Sequence, residues 1–364
     1  MIYKNFNKLL IVSISFVLLS TIVFNFIINP YNIFNTLNIK GLNQVKNNTI
    51  NTEMSKFYAL KRLEIDTLIT GTSRSEHLNP TFIQKFTKDK VYNLSMPGSG
   101  IKLQKENIEY FVKHKNIKRV ILGLDFFAFN PANNSKDKHP RYDDKYISDY
   151  QDSLLSIRTL RKSIKTLKDN LKNKKSTLHY ENGYRHNEDI SLKIKNGGIV
   201  YIKERFKKQV TMISTQKVHF NNEEFKNPSS INKALADLNA IVNLCKDKDI
   251  ELIMFISPLY VKITELIYKR GYGFSYEYWK KELAKYGDIY DFSSYNKVTK
   301  KISNYIDGSH YQEHIAKLIV EKLLQNDSKK ESSDFGIILN MKNIDIILKN
   351  QAKNAKTNNM KVNK

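Results

Sequence analysis

The longest apolar run of the chain, Leu9 to Ile28 (LLIVSISFVLLSTIVFNFII), carries no charge. As a helix rising ~1.5 Å per residue it is long enough to cross the ~30 Å hydrocarbon core of a bilayer. Lys4 and Lys8 precede it. The positive-inside rule keeps them in the cytoplasm and sends everything after Pro30 to the far side. A cleaved signal peptide is the competing reading. The run is longer than the apolar core of such peptides, however, and it leads into Asn29-Pro30-Tyr31 with no small-x-small cleavage pattern, which favours an uncleaved anchor. A buried core helix is the remaining alternative, and the flanking lysines weaken it. No other segment is apolar enough to span.

Beyond a polar, Asn-rich stalk the pattern changes to short apolar runs alternating with helical periodicity. Ile65 to Thr70, Val91 to Met96, Val120 to Phe127, a stretch within Asp249 to Pro258, and Ile289 to Phe292 have the length and β-branching of buried strands. Phe82 to Phe86, Ile101 to His114 and Gln312 to Leu324 read as helices. Strand–helix alternation predicts an α/β fold, a parallel sheet with helices on both faces, whose ligands sit at the carboxyl ends of the strands.

About a hundred residues between the third and fourth strands break this rhythm. Leu154, Ile157, Leu160, Ile164, Leu167 and Leu171 recur at helical spacing in a lysine-rich background and predict an amphipathic helix. The section from His179 to Phe225 has no regular period. The chain thus divides into an anchor (1–30), a stalk (31–54), a core (55–130 and 229–324), a helical insertion (131–228) and an extension (325–364). The insertion is expected to cap the carboxyl edge of the sheet, with surface decoration as the alternative. In the extension a polar spacer, Gln325 to Ser333, leads to a small apolar element, Asp334 to Leu339, and the tail from Lys353 is expected to be disordered.

Charge adds a question that the anchor answers. The net charge is +24 from 60 Lys+Arg against 36 Asp+Glu, and such an excess suits nucleic acid, anionic lipid or an anionic polymer. Much of it is lysine scattered among asparagines, as in Arg161 to Lys175, Lys203 to Lys208 and Lys349 to Lys364, which reads as solvated surface without a nucleic-acid signature. For an extracytoplasmic domain, in a periplasm or at a cell surface, the remaining partners are headgroups and glycans, and no nucleic acid is expected. The single cysteine, Cys245, excludes an intrachain disulfide and a thiolate zinc cluster. It lies among Leu238, Ile241 and Leu244 and reads as core.

Candidate chemistry sits at the strand ends. Ser73 follows Gly71-Thr72 where the chain leaves the first strand, and Tyr305 to Tyr311 contains Asp307-x-x-His310. A serine hydroxyl is a weak nucleophile until a base takes its proton. His310 is the natural base, and Asp307 is placed to hold its tautomer. Gly98, after the second strand, offers an unhindered N–H that with that of Ser73 would form an oxyanion hole. His310 and His314 form His-x-x-x-His, but with no third ligand in view a metal is not expected.

These blocks, in this order, resemble the SGNH (GDSL-like) hydrolase superfamily. Gly71-Thr72-Ser73 is similar to its first block, Asn93 to Gly98 to its glycine block, Gly123-Leu124-Asp125 to its third and Asp307-x-x-His310 to its last. The resemblance covers roughly 60–130 and 235–324. In particular the chain looks like the membrane-anchored extracytoplasmic branch containing alginate O-acetylation and lipoteichoic acid D-alanyl transfer proteins. The resemblance implies a flavodoxin-like three-layer sandwich; Ser73, Asp307 and His310 as catalytic residues; and an oxyanion and substrate-binding set of Gly98, Gly100, Asp125 and Arg74. No cofactor is implied. The expected partners are a polysaccharide or other glycan acceptor and a membrane-embedded acyltransferase.

One departure stands out. The family's third block supplies an asparagine N–H to the oxyanion, and Asp125 occupies that position. A carboxylate cannot donate. Either the hole has backbone donors alone, or Asp125 is protonated, or Arg74 shields it; a purely structural carboxylate is equally consistent. Arg74 itself either binds an anionic group of the substrate or pairs with a carboxylate to hold the turn. The function implied is O-acyl transfer to a cell-surface polysaccharide, the alternatives being a carbohydrate esterase and a non-catalytic glycan-binding or assembly protein.

Overall fold

Short, largely apolar strands assemble, in this computed structural model, into one six-stranded sheet. The structure describes residues 2–46, 51–134, 140–143, 147–172, 181–185, 188–215, 222–287, 289–325 and 334–361. The main elements in chain order are α1 (Ile2–Ile28), α2 (Thr52–Lys61), β1 (Thr67–Thr70), α3 (Pro80–Ile83), β2 (Val91–Asn93), α4 (Ile101–His114), β3 (Arg119–Leu124) and α5 (Pro131–Asn134). They continue with α6 (Ser148–Leu155), α7 (Ile157–Leu171), α8 (Glu188–Ser214), α9 (Asn232–Asp247), β4 (Glu251–Ile256), α10 (Val261–Lys269), α11 (Gly273–Ala284), β5 (Ile289–Asp291), α12 (Glu313–Leu324), β6 (Ile337–Leu339) and α13 (Ile344–Lys361). Non-helical backbone at Gly198 breaks α8 into two pieces.

The strand order is β2-β1-β3-β4-β5-β6. The first five strands are parallel, and β6 adds to β5 antiparallel. Because β2 and β3 flank β1 on opposite sides, right-handed crossovers fall on opposite faces of the sheet, and a crevice opens at the carboxyl ends of β1 and β3. One face buries Ile69, Ile121, Phe255 and Phe292 against Ile315, Ile319, Val320 and Leu323 of α12. Alternation by two sends Leu68, Val120 and Leu122, all fully buried, to the other face. Asn79 caps α3 by accepting from the Thr81 N–H at 2.9 Å, with Pro80 preset in the first turn.

Contacts divide the chain into two compact units, Met1–Leu63 with His139–Glu181, and Glu64–Lys138 with Asn182–Lys364. The segment expected to form one capping insertion, 131–228, is divided between these two units. Helices α6 and α7 belong with the anchor and stalk, and α8 belongs with the sheet. In the first unit, Tyr58 Oη donates to Asp149 at 3.1 Å, and Arg141 ties Asp149 (3.1 Å) to Glu53 (2.8 Å). α1 is long and apolar enough to cross a membrane.

The extension also differs from expectation. The element read over Asp334 to Leu339 includes the edge strand β6, and the tail expected to be disordered from Lys353 is helical to Lys361. Gln351 of α13 accepts from the buried Lys280 ammonium at 3.1 Å, which also pairs with Asp291 at 2.8 Å. This interior anchor ties α13 to α11 and β5. In the spacer, 326–333 lie outside the described residues, as do 173–175 of one lysine stretch and 362–364 of the tail. Cys245 is buried, and burial raises its thiol pKa to about 11.

Candidate active site

The chain leaves β1 at Thr70, and three residues later Ser73 stands at the carboxyl edge of the sheet. Its Oγ lies 2.9 Å from His310 Nε2. His310 Nδ1 in turn lies 3.0 Å from Asp307 Oδ2 and 3.1 Å from Oδ1. The carboxylate is fixed from below. Its Oδ1 accepts the N–H groups of Ser309 (2.8 Å) and His310 (2.9 Å), so one tight turn carries both acid and base. Burial pushes the Asp307 carboxyl up, but the His310 charge, the bond to its ring and the two amides outweigh this and hold it well below the usual range. Asp307 is therefore ionised through the neutral range, the state that orients His310 with Nδ1–H toward the carboxylate and Nε2 toward the serine.

His77 backs the imidazole from the protein side, its ring centroid 5.8 Å from that of His310 in an edge-to-face arrangement. Burial first, then the His310 and Arg185 charges, push His77 down to about 3. It is thus neutral at physiological pH and adds no charge beside the base.

Arg74 connects three separated segments. Its guanidinium pairs with Asp125 Oδ1 at 2.9 Å, and Nε donates to the Ser309 carbonyl at 3.1 Å. Nη2 donates to Ser309 Oγ, and the Thr72 hydroxyl donates to Asp125 Oδ2. The ring of Phe127 lies under the guanidinium, 5.6 Å from its centroid. Asp125, expected in the oxyanion or substrate set, is buried in this clamp and is not among the residues lining the cavity. Of the two readings of Arg74, the contacts support the one that holds the turn, although the side chain also borders the cavity.

A cavity of about 410 Å³ opens over Ser73. Thr72, Gly98, Ser99, Asp307, Ser309 and His310 form its polar floor, and Phe127, Ala128 and Met212 an apolar wall. Gly98 adopts φ +69°, a left-handed conformation that glycine takes without strain, and a Cβ there would meet nothing. Among the described residues neither the Ser73 nor the Gly98 N–H donates within the protein. Gly100, expected in the same set, is not among the residues lining the cavity. It precedes α4 and packs against the Asn133 carbonyl and Asn134 Oδ1, where a Cβ would clash.

Sequence reasoning missed the wall supplied by α8, which includes Arg205, Lys208, Gln209 and Met212. Arg205 reaches Asp307 Oδ2 at 3.5 Å. A Cβ at Gly308 would lie 2.7 Å from the Phe206 ring and 2.8 Å from Gln209 Oε1, so α8 rests directly on the Asp307–His310 turn. The i, i+3, i+4, i+7 spacing of these four residues was the available signal. It was obscured by the lysines at 203, 207 and 208, which read as solvated surface. His314 Nε2 is paired with Asn304 Oδ1 at 3.3 Å.

No curated protein matches the chain. One family profile does, over residues 9–326, from within α1 past the end of α12, and so takes in most of the apolar helix α1 and the five parallel strands but not β6 or α13. By this match the chain belongs to the family described as protein of unknown function (DUF1574).

Proposed function

We propose that this protein is a membrane-anchored, extracytoplasmic acyl-ester enzyme with a Ser-His-Asp relay, transferring an O-acyl group, most simply acetyl, to a cell-surface polysaccharide. The observation that carries the reading is the relay itself: Ser73 Oγ 2.9 Å from His310 Nε2, and His310 Nδ1 3.0 Å from a carboxylate held ionised. A non-catalytic binding protein on the same fold has no need of this alignment.

The chemistry follows from the geometry. His310 Nε2 takes the Ser73 proton as Oγ attacks the acyl carbonyl carbon, and Asp307 stabilises the imidazolium. The oxyanion of the tetrahedral intermediate develops beside the Ser73 and Gly98 N–H groups, both at the cavity floor. Collapse expels the donor's leaving group, which takes the proton from His310 and leaves an acyl-Ser73 ester. An acceptor hydroxyl then gives its proton to His310 and attacks that ester; the second collapse returns the proton to Ser73 and releases the acylated glycan. With water as acceptor the same steps give an esterase. The apolar wall of Phe127, Ala128 and Met212 suits a small acyl group.

Acetyl content of surface glycan in cells carrying wild-type or Ser73→Ala protein, together with hydrolysis of a chromogenic acetate by the purified chain, tests this reading. Loss of acetylation with weak hydrolysis supports transfer, and gain of acetylation supports the esterase. No change in either measurement contradicts both.

A further inference from the structure

In a soluble amphipathic helix the apolar stripe faces the protein. α7 does the reverse. Its buried positions are Thr159, Ser163, Thr166 and Asn170, a small polar stripe, whereas Ile157, Ile164 and Leu171 are 69%, 40% and 67% exposed. The polar stripe is bonded into the anchor unit. Ser163 Oγ donates to Asn25 Oδ1 of α1 at 2.7 Å, and Asn25 Nδ2 donates to the Leu154 carbonyl at 2.8 Å. Asn170 exchanges two hydrogen bonds with the Val45 backbone at 2.8 and 2.9 Å. The outward apolar stripe is therefore a consequence of specific inward contacts and is not a loosely placed helix.

We propose that α7 is an interfacial helix, its Ile157–Ile164–Leu171 stripe inserted in the headgroup and upper acyl region of the bilayer that α1 crosses. Three observations select lipid as the occupant. Asn25 lies three residues before the end of α1, so at ~1.5 Å per residue the middle of α7 is fixed within about 5 Å of the end of the apolar span. Residues 157–172 carry six basic side chains and one acidic, and among the described residues Arg161, Lys162, Lys168 and Lys172 make no ion pair. On a helical wheel Arg161, Lys168 and Lys172 flank the apolar stripe on the side away from the buried one, the arrangement that meets anionic headgroups. Finally, Leu155, two residues before α7, and Ile147, just before α6, are further exposed apolar side chains of the same unit, at 50% and 59%. The proposal rests on α1 being a membrane span, and it makes the anchor unit a two-point attachment, one crossing and one lying in the interface.

The test uses the full chain in phosphatidylcholine–phosphatidylglycerol vesicles, with Cys245→Ala and one new cysteine carrying an environment-sensitive fluorophore at Ile164, Leu171, Leu18 or Lys246. Quenching is read from lipids with a nitroxide set shallow or deep in the acyl chain. An apolar face ~5–10 Å into the boundary predicts that Ile164 and Leu171 probes are quenched at least about twofold more by the shallow than the deep label. The Leu18 probe should show the reverse preference, and Lys246 neither. Quenching at Leu18 without quenching at Ile164 and Leu171 overturns the proposal while leaving the anchor intact. Absence of quenching at Leu18 as well overturns the membrane reading on which it rests.

Discussion

Arg74 stands 2.9 Å from Asp125, and both side chains are almost wholly buried. The pair gives the Asp125 carboxylate a structural partner. Here it holds the Ser73 turn, the end of β3 and the Ser309 loop in register, and has no part in the cavity floor. Removing one partner of a buried pair costs about 3–5 kcal/mol. Asp125→Ala should accordingly lower the thermal midpoint of the purified chain by roughly 10 °C. The paired change Arg74→Met with Asp125→Leu should restore much of that loss. An unchanged midpoint in the single variant would contradict the clamp.

Asp307→Asn keeps the shape of the turn but removes the charge that sets the His310 tautomer. Turnover should fall on the order of 10³–10⁴-fold, with thermal unfolding at neutral pH changed far less than in the Asp125 variant. Steady-state kinetics on a chromogenic acetate, with melting curves alongside, measure both.

His77 makes stability depend on pH in a window of its own. Its folded pKa of about 3 lies below the unfolded value of 6.5. Between these values the unfolded chain binds a proton that the folded protein does not, so stability falls as pH drops through that window. At about 1.4 kcal/mol per unit, acidification from pH 6.5 to 5 should cost about 2 kcal/mol through this residue. Chemical denaturation at the two pH values should show that His77→Gln loses less stability than wild type by about this amount.

Gly308→Ala adds a Cβ within 2.8 Å of Phe206 and Gln209. The ring cannot swing aside as a flexible chain end can, so α8 must move off the Asp307–His310 turn. Activity should fall about tenfold, the scale of a sub-ångström misplacement of catalytic groups. Adding Phe206→Ala should recover part of it by restoring the space. A Gly308→Ala enzyme of full activity would show that α8 does not position the turn.

The parallel strands could be read from sequence because each is a short, largely apolar run, and three of the runs, those of β1, β2 and β4, are closed by Gly71, Pro97 and Pro258. Ser73 lies on the turn directly after β1, and Asp307 and His310 on the turn before α12, where their side chains stand in hydrogen-bonding sequence. The destination of α7 could not be read in this way. Its apolar residues define a stripe, but periodicity does not say whether protein or lipid covers it, and the inward face is built from Thr, Ser and Asn, whose packing depends on Asn25 and on the backbone of Val45. Arg205 and Lys208 were obscured for a related reason: lysines in a polar run read as solvated until the fold turns one helical face over Ser73. The role of Asp125 depends on its meeting with Arg74, residues 51 positions apart in the chain, and no local pattern encodes that.

Reaction of the purified full chain with a fluorophosphonate, followed by peptide mass spectrometry, tests most directly whether Ser73 is an activated nucleophile. The predicted result is a single adduct on the Ser73 peptide, absent from Ser73→Ala and formed at least about 10²-fold more slowly in His310→Gln. No adduct at Ser73, or labelling equally fast without His310, would contradict the account.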